Sequence, residues 1–202
     1  WSSNFQLAHD IMTEARIELE KQLDRYRTEK NTDSLIKYIA LVGSLKLANG
    51  NHDVAIKRAE TFGKELNQYQ IPFVDKEVLL ELAWIYDDAG YTKRAYTTVE
   101  KALEIAKQIE DPRKADISGI YHNLGYLASN LGDMAMAKAL YTMSIKTMEK
   151  EQTKDYESLH KTYNALGGMM WYSAKLDSSL YYFNQAYKML EQVEKNPMNS
   201  YY

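Results

Sequence analysis

The chain contains no cysteine, which removes disulfides, thiolate metal sites and cysteine nucleophiles together. That absence fits a reducing cytoplasm and a cysteine-free periplasmic domain equally well; the cytoplasm is the slightly favoured expectation, and a periplasmic location would need an export signal outside this segment. Only three prolines and nine glycines interrupt 202 residues, so collagen-like and loop-rich scaffolds are excluded. No uninterrupted apolar run approaches the roughly 18 to 20 residues of a membrane span, and no membrane insertion is expected. Neither sign of charge dominates, with 25 basic against 28 acidic side chains and a formal net charge of −3. Such a balance gives no electrostatic case for nucleic acid as a partner.

What is present is a chain that can bury a core. It is 45% hydrophobic and 26% charged, enough for one ordinary domain or a short repeat array. Frequent Ala, Leu, Lys and Glu lean it towards helix. It begins at Trp1 and runs to Tyr201-Tyr202 directly after a helical pattern, so we expect an excised segment of a longer protein.

An internal repeat organises the chain. Leu82-Ala83-Trp84-Ile85-Tyr86, Leu124-Gly125-Tyr126-Leu127-Ala128 and Leu166-Gly167-Gly168-Met169-Met170 start 42 residues apart in both steps, with a weaker copy at Val42-Gly43. Twelve residues beyond the small residue of each copy stands another small one: Ala55, Ala95, Ala137 and Ser179. Four further on lie Ala59, Val99, Tyr141 and Phe183, and then Phe62, Ala102, Ser144 and Ala186. Pro72, Pro112 and Pro197 fall between copies, as residues that start helices and break their interiors should. Inside each of the first three copies a glycine marks a turn, at Gly50-Asn51, Gly90-Tyr91 and Gly132-Asp133, and Ala174 replaces it in the fourth.

These signals predict two helices per period: 33–48 and 52–69, 73–88 and 92–109, 113–130 and 133–150, 155–173 and 177–194. Asp111-Pro112 reads as the cap and first residue of the third pair. A further helix is expected near 4–29, with Leu7, Ile11, Ala15, Leu19 and Leu23 in one apolar stripe. Apolar spacing of three and four, as in Leu79, Leu82, Ala83 and Tyr86, is helical, and no β-sheet is expected.

The run Tyr121, Leu124-Gly125, Ala128, Ala137, Tyr141, and its fourth-copy counterpart Tyr163, Leu166-Gly167, Ser179, Phe183, Ala186, resembles the tetratricopeptide repeat. The second copy matches through Leu82-Ala83, Tyr86, Ala95 and Ala102, whereas the first departs at Lys46, Ala59 and Phe62. The period near 42 is similar to the long-helix variant of kinesin light chains and bacterial sensor or regulator proteins. The resemblance implies an all-α superhelix, a right-handed solenoid of antiparallel helix pairs. Residues 1–31 would form a cap or the remnant of a preceding repeat, and 32–202 one continuous solenoid of about four pairs (33–69, 73–109, 113–150, 155–194).

No phosphate-binding glycine loop, zinc motif, calcium loop or nucleophile elbow is found, which argues against an enzyme and against any cofactor. The four histidines are scattered, so no metal site is expected. Methionines crowd into the second half, eight of nine from Met134 onward, where core packing is the main expectation.

By the resemblance, the useful surface is the concave one lined by the first helix of each pair. Transferred position by position, it places Glu81, Trp84 and Asp87 of the second copy there, beside Glu77, Leu80 and Asp88. The third copy contributes His122, Asn123, Tyr126, Ser129 and Asn130, and the fourth Lys161, Asn164, Trp171 and Tyr172. Amides interleaved with aromatics suit an extended peptide, because Asn both donates and accepts while Trp and Tyr bury large area at small entropic cost. Trp84 and Trp171 have a second reading as inter-repeat packing, and Asn123 as a helix-to-helix hydrogen bond. The acidic residues of the second copy favour a ligand with a basic stretch.

The leading expectation is a non-catalytic module that binds a protein or peptide segment, the sensory or scaffolding part of a larger bacterial signalling or regulatory protein. A homodimerisation module for an attached effector is the alternative, and a peptide-regulated phosphatase-type regulator is a third.

Overall fold

The computed structural model describes residues 52–66, 71–150 and 155–195, together with helical Lys21 and Arg25. The expected helices 4–29 and 33–48, the Val42-Gly43 copy, the Gly50-Asn51 turn, the side chains of Ala55 and Phe62, and Pro197 lie outside the described residues. Among the described residues every regular element is helical, and two compact units, 1–109 and 110–202, divide the chain.

The first unit contains α1 (His52–Leu66), α2 (Pro72–Asp88) and α3 (Thr92–Ala106). Pro72 opens α2 at the position where its missing N–H costs nothing. Two residues past the helix end, Gly90 takes a φ of +84°, with its N–H donating to the Asp87 carbonyl at 2.8 Å and the Tyr91 N–H to that of Tyr86. That reversal lays α3 back along α2. Their shared core is Val74, Val78, Leu82, Ala83, Ile85 and Tyr86 against Ala95, Val99, Ala102, Leu103 and Ala106, all buried. Helix α1 packs on α2, and a polar clasp ties it in: Tyr86 Oη donates to Glu60 Oε1 at 2.6 Å, and the Arg94 guanidinium donates to the same oxygen at 2.5 Å while lying over the Tyr86 ring. Burial, chiefly, and the Glu60 carboxylate push the Tyr86 phenol up to about 12. Lys76 is also buried, its ammonium 2.5 Å from Glu77.

The second unit contains α4 (Pro112–Ala115), α5 (Ile117–Asn130), α6 (Met134–Lys150), α7 (Tyr156–Tyr172) and α8 (Leu176–Lys195). The expected single helix over 113–130 is corrected here: it is two helices. Asp116 takes a left-handed conformation, φ +43°, and its carboxylate accepts from the Gly119 N–H at 3.1 Å, so it ends α4 and caps α5. Asp111 does cap the short α4 as its spacing indicated, accepting from Arg113 N–H. The cap signalled at Asp111-Pro112 forms, and a second cap five residues later starts the next helix.

Helix α5 pairs with α6 and α7 with α8. In each pair the glycine of the first helix meets an aromatic of the second, Gly125 against Tyr141 and Gly167 against Phe183. Buried hydroxyls add polar stitches: Ser144 donates to the Ser118 carbonyl at 2.8 Å and Ser179 to that of Gly167 at 2.9 Å. The pairs stack through α6 against α7, with α5 also touching α7. Met148, Met169 and Met170 fill this core, whereas Met134, Met136 and Met143 are exposed, so core packing accounts for fewer of the methionines than expected.

Candidate functional site

Helices α5 and α7 each spend one face on the core. Ile120, Leu124, Leu127 and Ala128 are buried on α5, and Leu159, Leu166, Met169 and Met170 on α7. The remaining face carries the residues singled out from the sequence. His122 and Asn123 are half-buried, while Tyr126, Asn130, Lys161, Asn164, Trp171 and Tyr172 are exposed, Tyr172 at 88%. Large aromatics left this open on packed helices supply apolar area without further ordering of the backbone.

A direct polar link joins the two helices. His122 Nδ1 lies 2.9 Å from Thr162 Oγ1, and the imidazole meets the Tyr141 ring edge-on at 5.3 Å between centroids. Burial and then the Lys161 charge push the His122 pKa down, so the ring is neutral. Lys161 itself pairs with Glu157 one turn earlier at 2.6 Å. Beneath them, burial pushes the Tyr141 phenol up to about 12. Thr162 was not singled out from the sequence. Its signal was a β-branched hydroxyl in mid-helix, where such residues bond the carbonyl four residues back, and Thr162 does so to Ser158.

The acidic residues belong to the first unit and lie along α2. Glu81 and Asp87 are half-buried, and Trp84 and Asp88 exposed. Burial and the neighbouring Glu77 raise the Glu81 pKa. Asp75, near the start of the same helix, has a buried Oδ1 with no hydrogen-bond partner and a pKa raised by burial. Among the described residues no three His, Asp or Glu side chains converge as a metal ion would require, and no described helix is long and apolar enough to cross a membrane.

Helix pairs repeated at one register, with a glycine beneath an aromatic ring in both pairs of the second unit, define an α-helical repeat protein. Two family models described as tetratricopeptide repeat match residues 116–192 and 77–109, and the chain belongs to that family. Solved structures agree on the fold. BtubC (BKLC) from P. vanneervenii is 16% identical with a TM-score of 0.73, the match covering 91% of this chain and 72% of that one. The nearly identical repeats of a putative kinesin light chain from Podosopora anserina give 0.63 at 16% identity, covering 96% and 95%. A Rap protein complexed with Competence and Sporulation Factor gives 0.69 at 18% identity, and this chain spans about half of it, 96% against 52%. No curated protein matches the sequence. Tetratricopeptide repeats mark a protein–protein interaction module, and such scaffolds are generally non-catalytic.

Proposed function

We propose that the chain is a non-catalytic module that binds an extended protein or peptide segment along the open face of α5 and α7, and that it serves as the sensory or scaffolding part of a larger bacterial signalling or regulatory protein. The observation that carries this reading is the surplus of amide and aromatic side chains on that face. Tyr126, Asn164, Trp171 and Tyr172 are exposed there, with Asn123 half-buried beside them. A carboxamide can satisfy both the N–H and the C=O of an extended backbone, and the aromatics supply apolar contact. The Rap structure shares the fold and was solved with a bound factor, which supports a ligand-binding role for such an array. On α2 the carboxylates of Glu77, Glu81, Asp87 and Asp88 favour a basic stretch in the partner.

The test is affinity capture from native cell extract with wild type and a folded Asn123→Ala/Tyr126→Ala variant, followed by mass spectrometry. A partner held by wild type and lost by the variant supports the reading. Identical capture by both rejects that face as the binding surface.

Self-association is a second reading, favoured by one observation. Leu176, Leu180, Phe183, Tyr187 and Leu190 form an exposed apolar stripe along α8.

A further inference from the structure

We propose that His122 is a fixed hydrogen-bond acceptor on the α5–α7 face, held in a single tautomer by Thr162, and that its Nε2 receives a main-chain amide N–H of the bound segment. This rests on the reading of that face as a binding surface, and it names the group that the face reads.

The argument starts from the one proton of the Thr162 hydroxyl. Thr162 Oγ1 lies 2.9 Å from the Ser158 carbonyl oxygen, which can only accept, so both close contacts of Oγ1 are hydrogen bonds at once only if the hydroxyl gives its proton to that carbonyl. The same Oγ1 lies 2.9 Å from His122 Nδ1. With its proton given away, the hydroxyl can only accept at that contact, so Nδ1 carries a hydrogen and donates it. In a neutral imidazole the other nitrogen is then bare. The ring is kept neutral by its burial and by Lys161. Nε2 lies on the far side of the ring from Thr162, and among the described residues no hydrogen-bond partner is recorded for it.

His160 provides an internal comparison. Its Nδ1 lies 2.9 Å from the Ala186 carbonyl, so it too is protonated at Nδ1, but that bond staples α7 to α8 within one helix pair. The His122 bond instead joins the first helices of two successive pairs. It sets the ring next to Asn123 and one turn before Tyr126.

Lys161 narrows the choice of ligand. Even paired with Glu157 it adds positive charge at the imidazole, which disfavours a lysine or arginine side chain donating to Nε2. An uncharged amide N–H meets no such penalty, and an extended chain presents one at every residue.

The experiment uses the full chain labelled with 15N-histidine, with ring-nitrogen correlation spectra at neutral pH. The His122 signals are assigned by their loss in His122→Gln. Wild type should show a protonated Nδ1 and a bare Nε2, and Thr162→Val should move the ring towards the Nε2–H form. The binding probe is N-methylacetamide, which carries one amide N–H, against N,N-dimethylacetamide, which carries none. The Nε2 resonance should shift with the first and hold still with the second at equal concentration. A wild-type ring protonated at Nε2, or an equal response to both amides, overturns the inference. Neither result alters the capture experiment on Asn123 and Tyr126, so the two failures are distinguishable.

Discussion

The Tyr141 ring fills the space that a side chain on Gly125 would need: a Cβ built there would lie 2.8 Å from Tyr141 Cδ1 and 3.1 Å from Cγ. Forty-two residues on, Phe183 stands over Gly167 in the same way, at 2.6 Å from its Cδ1. Both contacts involve the body of a ring and not a flexible tip, so the aromatic cannot simply swing aside. Glycine is thus needed for close helix approach, and its helix-breaking cost is accepted for that reason.

The stability consequence follows directly. Gly125→Ala gains about 1 kcal/mol of helix propensity but overpacks the ring contact by about 1–3 kcal/mol, for a net loss. Gly125→Leu should lose more, and Gly125→Ala/Tyr141→Leu should recover part of the deficit. Urea unfolding followed by circular dichroism measures all three. Gly125→Leu as stable as wild type would show that the two helices do not meet as described.

The turns between paired helices supply a second comparison. Gly132 and Ala174 occupy corresponding positions, and both have positive φ, +84° and +55°. A left-handed conformation costs an L-residue roughly 1–2 kcal/mol, partly offset because glycine adds freedom to the unfolded chain, by about 0.4–1 kcal/mol. Ala174→Gly should therefore stabilise by up to about 1 kcal/mol and Gly132→Ala destabilise by a similar amount. Thermal melts in which both substitutions moved Tm in the same direction would contradict this account.

Asp116 combines two roles that no other residue type fills well. Its side chain caps α5 through Gly119 N–H, and its backbone tolerates φ +43°, which Asp and Asn visit more readily than Ala. Asp116→Ala should destabilise by about 1–2 kcal/mol, and Asp116→Asn by much less. Equal losses for both would remove the capping role.

How much of this was legible in the sequence depends on the range of the physics involved. The glycine, small-residue and aromatic positions recur at fixed spacing because each is fixed by contact between two adjacent helices, and the sequence displays that contact as period. Gly90 and Gly132 were readable because only a few residue types take positive φ without strain. The break at Asp116 was not, since a single Asp inside a helical pattern reads equally as a solvated helix residue, and only the structure shows that Asp111 and Asp116 each cap a helix of their own. Nor was the link from His122 to Thr162, which joins residues 40 apart on different pairs and leaves no periodic trace. The surface residues were placed by the resemblance alone, and the structure then shows which of them stand open.

Glu81 makes stability depend on pH, and the sign can be worked out. Its pKa is raised in the folded state by burial and by Glu77, so the folded chain binds that proton more tightly than the unfolded chain does. The group therefore costs stability above its folded pKa, where it must ionise in place, and the cost disappears as pH falls below the unfolded value. Glu81→Gln should raise stability at neutral pH, with the advantage shrinking towards zero in acid. A difference from wild type that stays constant across that range would mean the substitution acts through packing and not through charge.

The apolar stripe on α8 has a counterpart within the same unit that shows what such a face does when covered. Tyr141, Ile145 and Met148 of α6 stand one 42-residue period before Phe183, Tyr187 and Leu190, and α7 packs against α6. Ile145 is 7% exposed, whereas Tyr187, at the same register, is 61% exposed. A row of exposed apolar side chains of this kind is a candidate contact surface. If copies of the chain associate through it, sedimentation velocity should show mass rising with concentration. A Leu180→Lys/Tyr187→Lys variant should then remain monomeric with unchanged helicity, because both side chains already lie mostly in solvent and their replacement removes no core contact. Wild type that stays monomeric throughout the accessible concentration range would discard self-association and leave the stripe to a different helix.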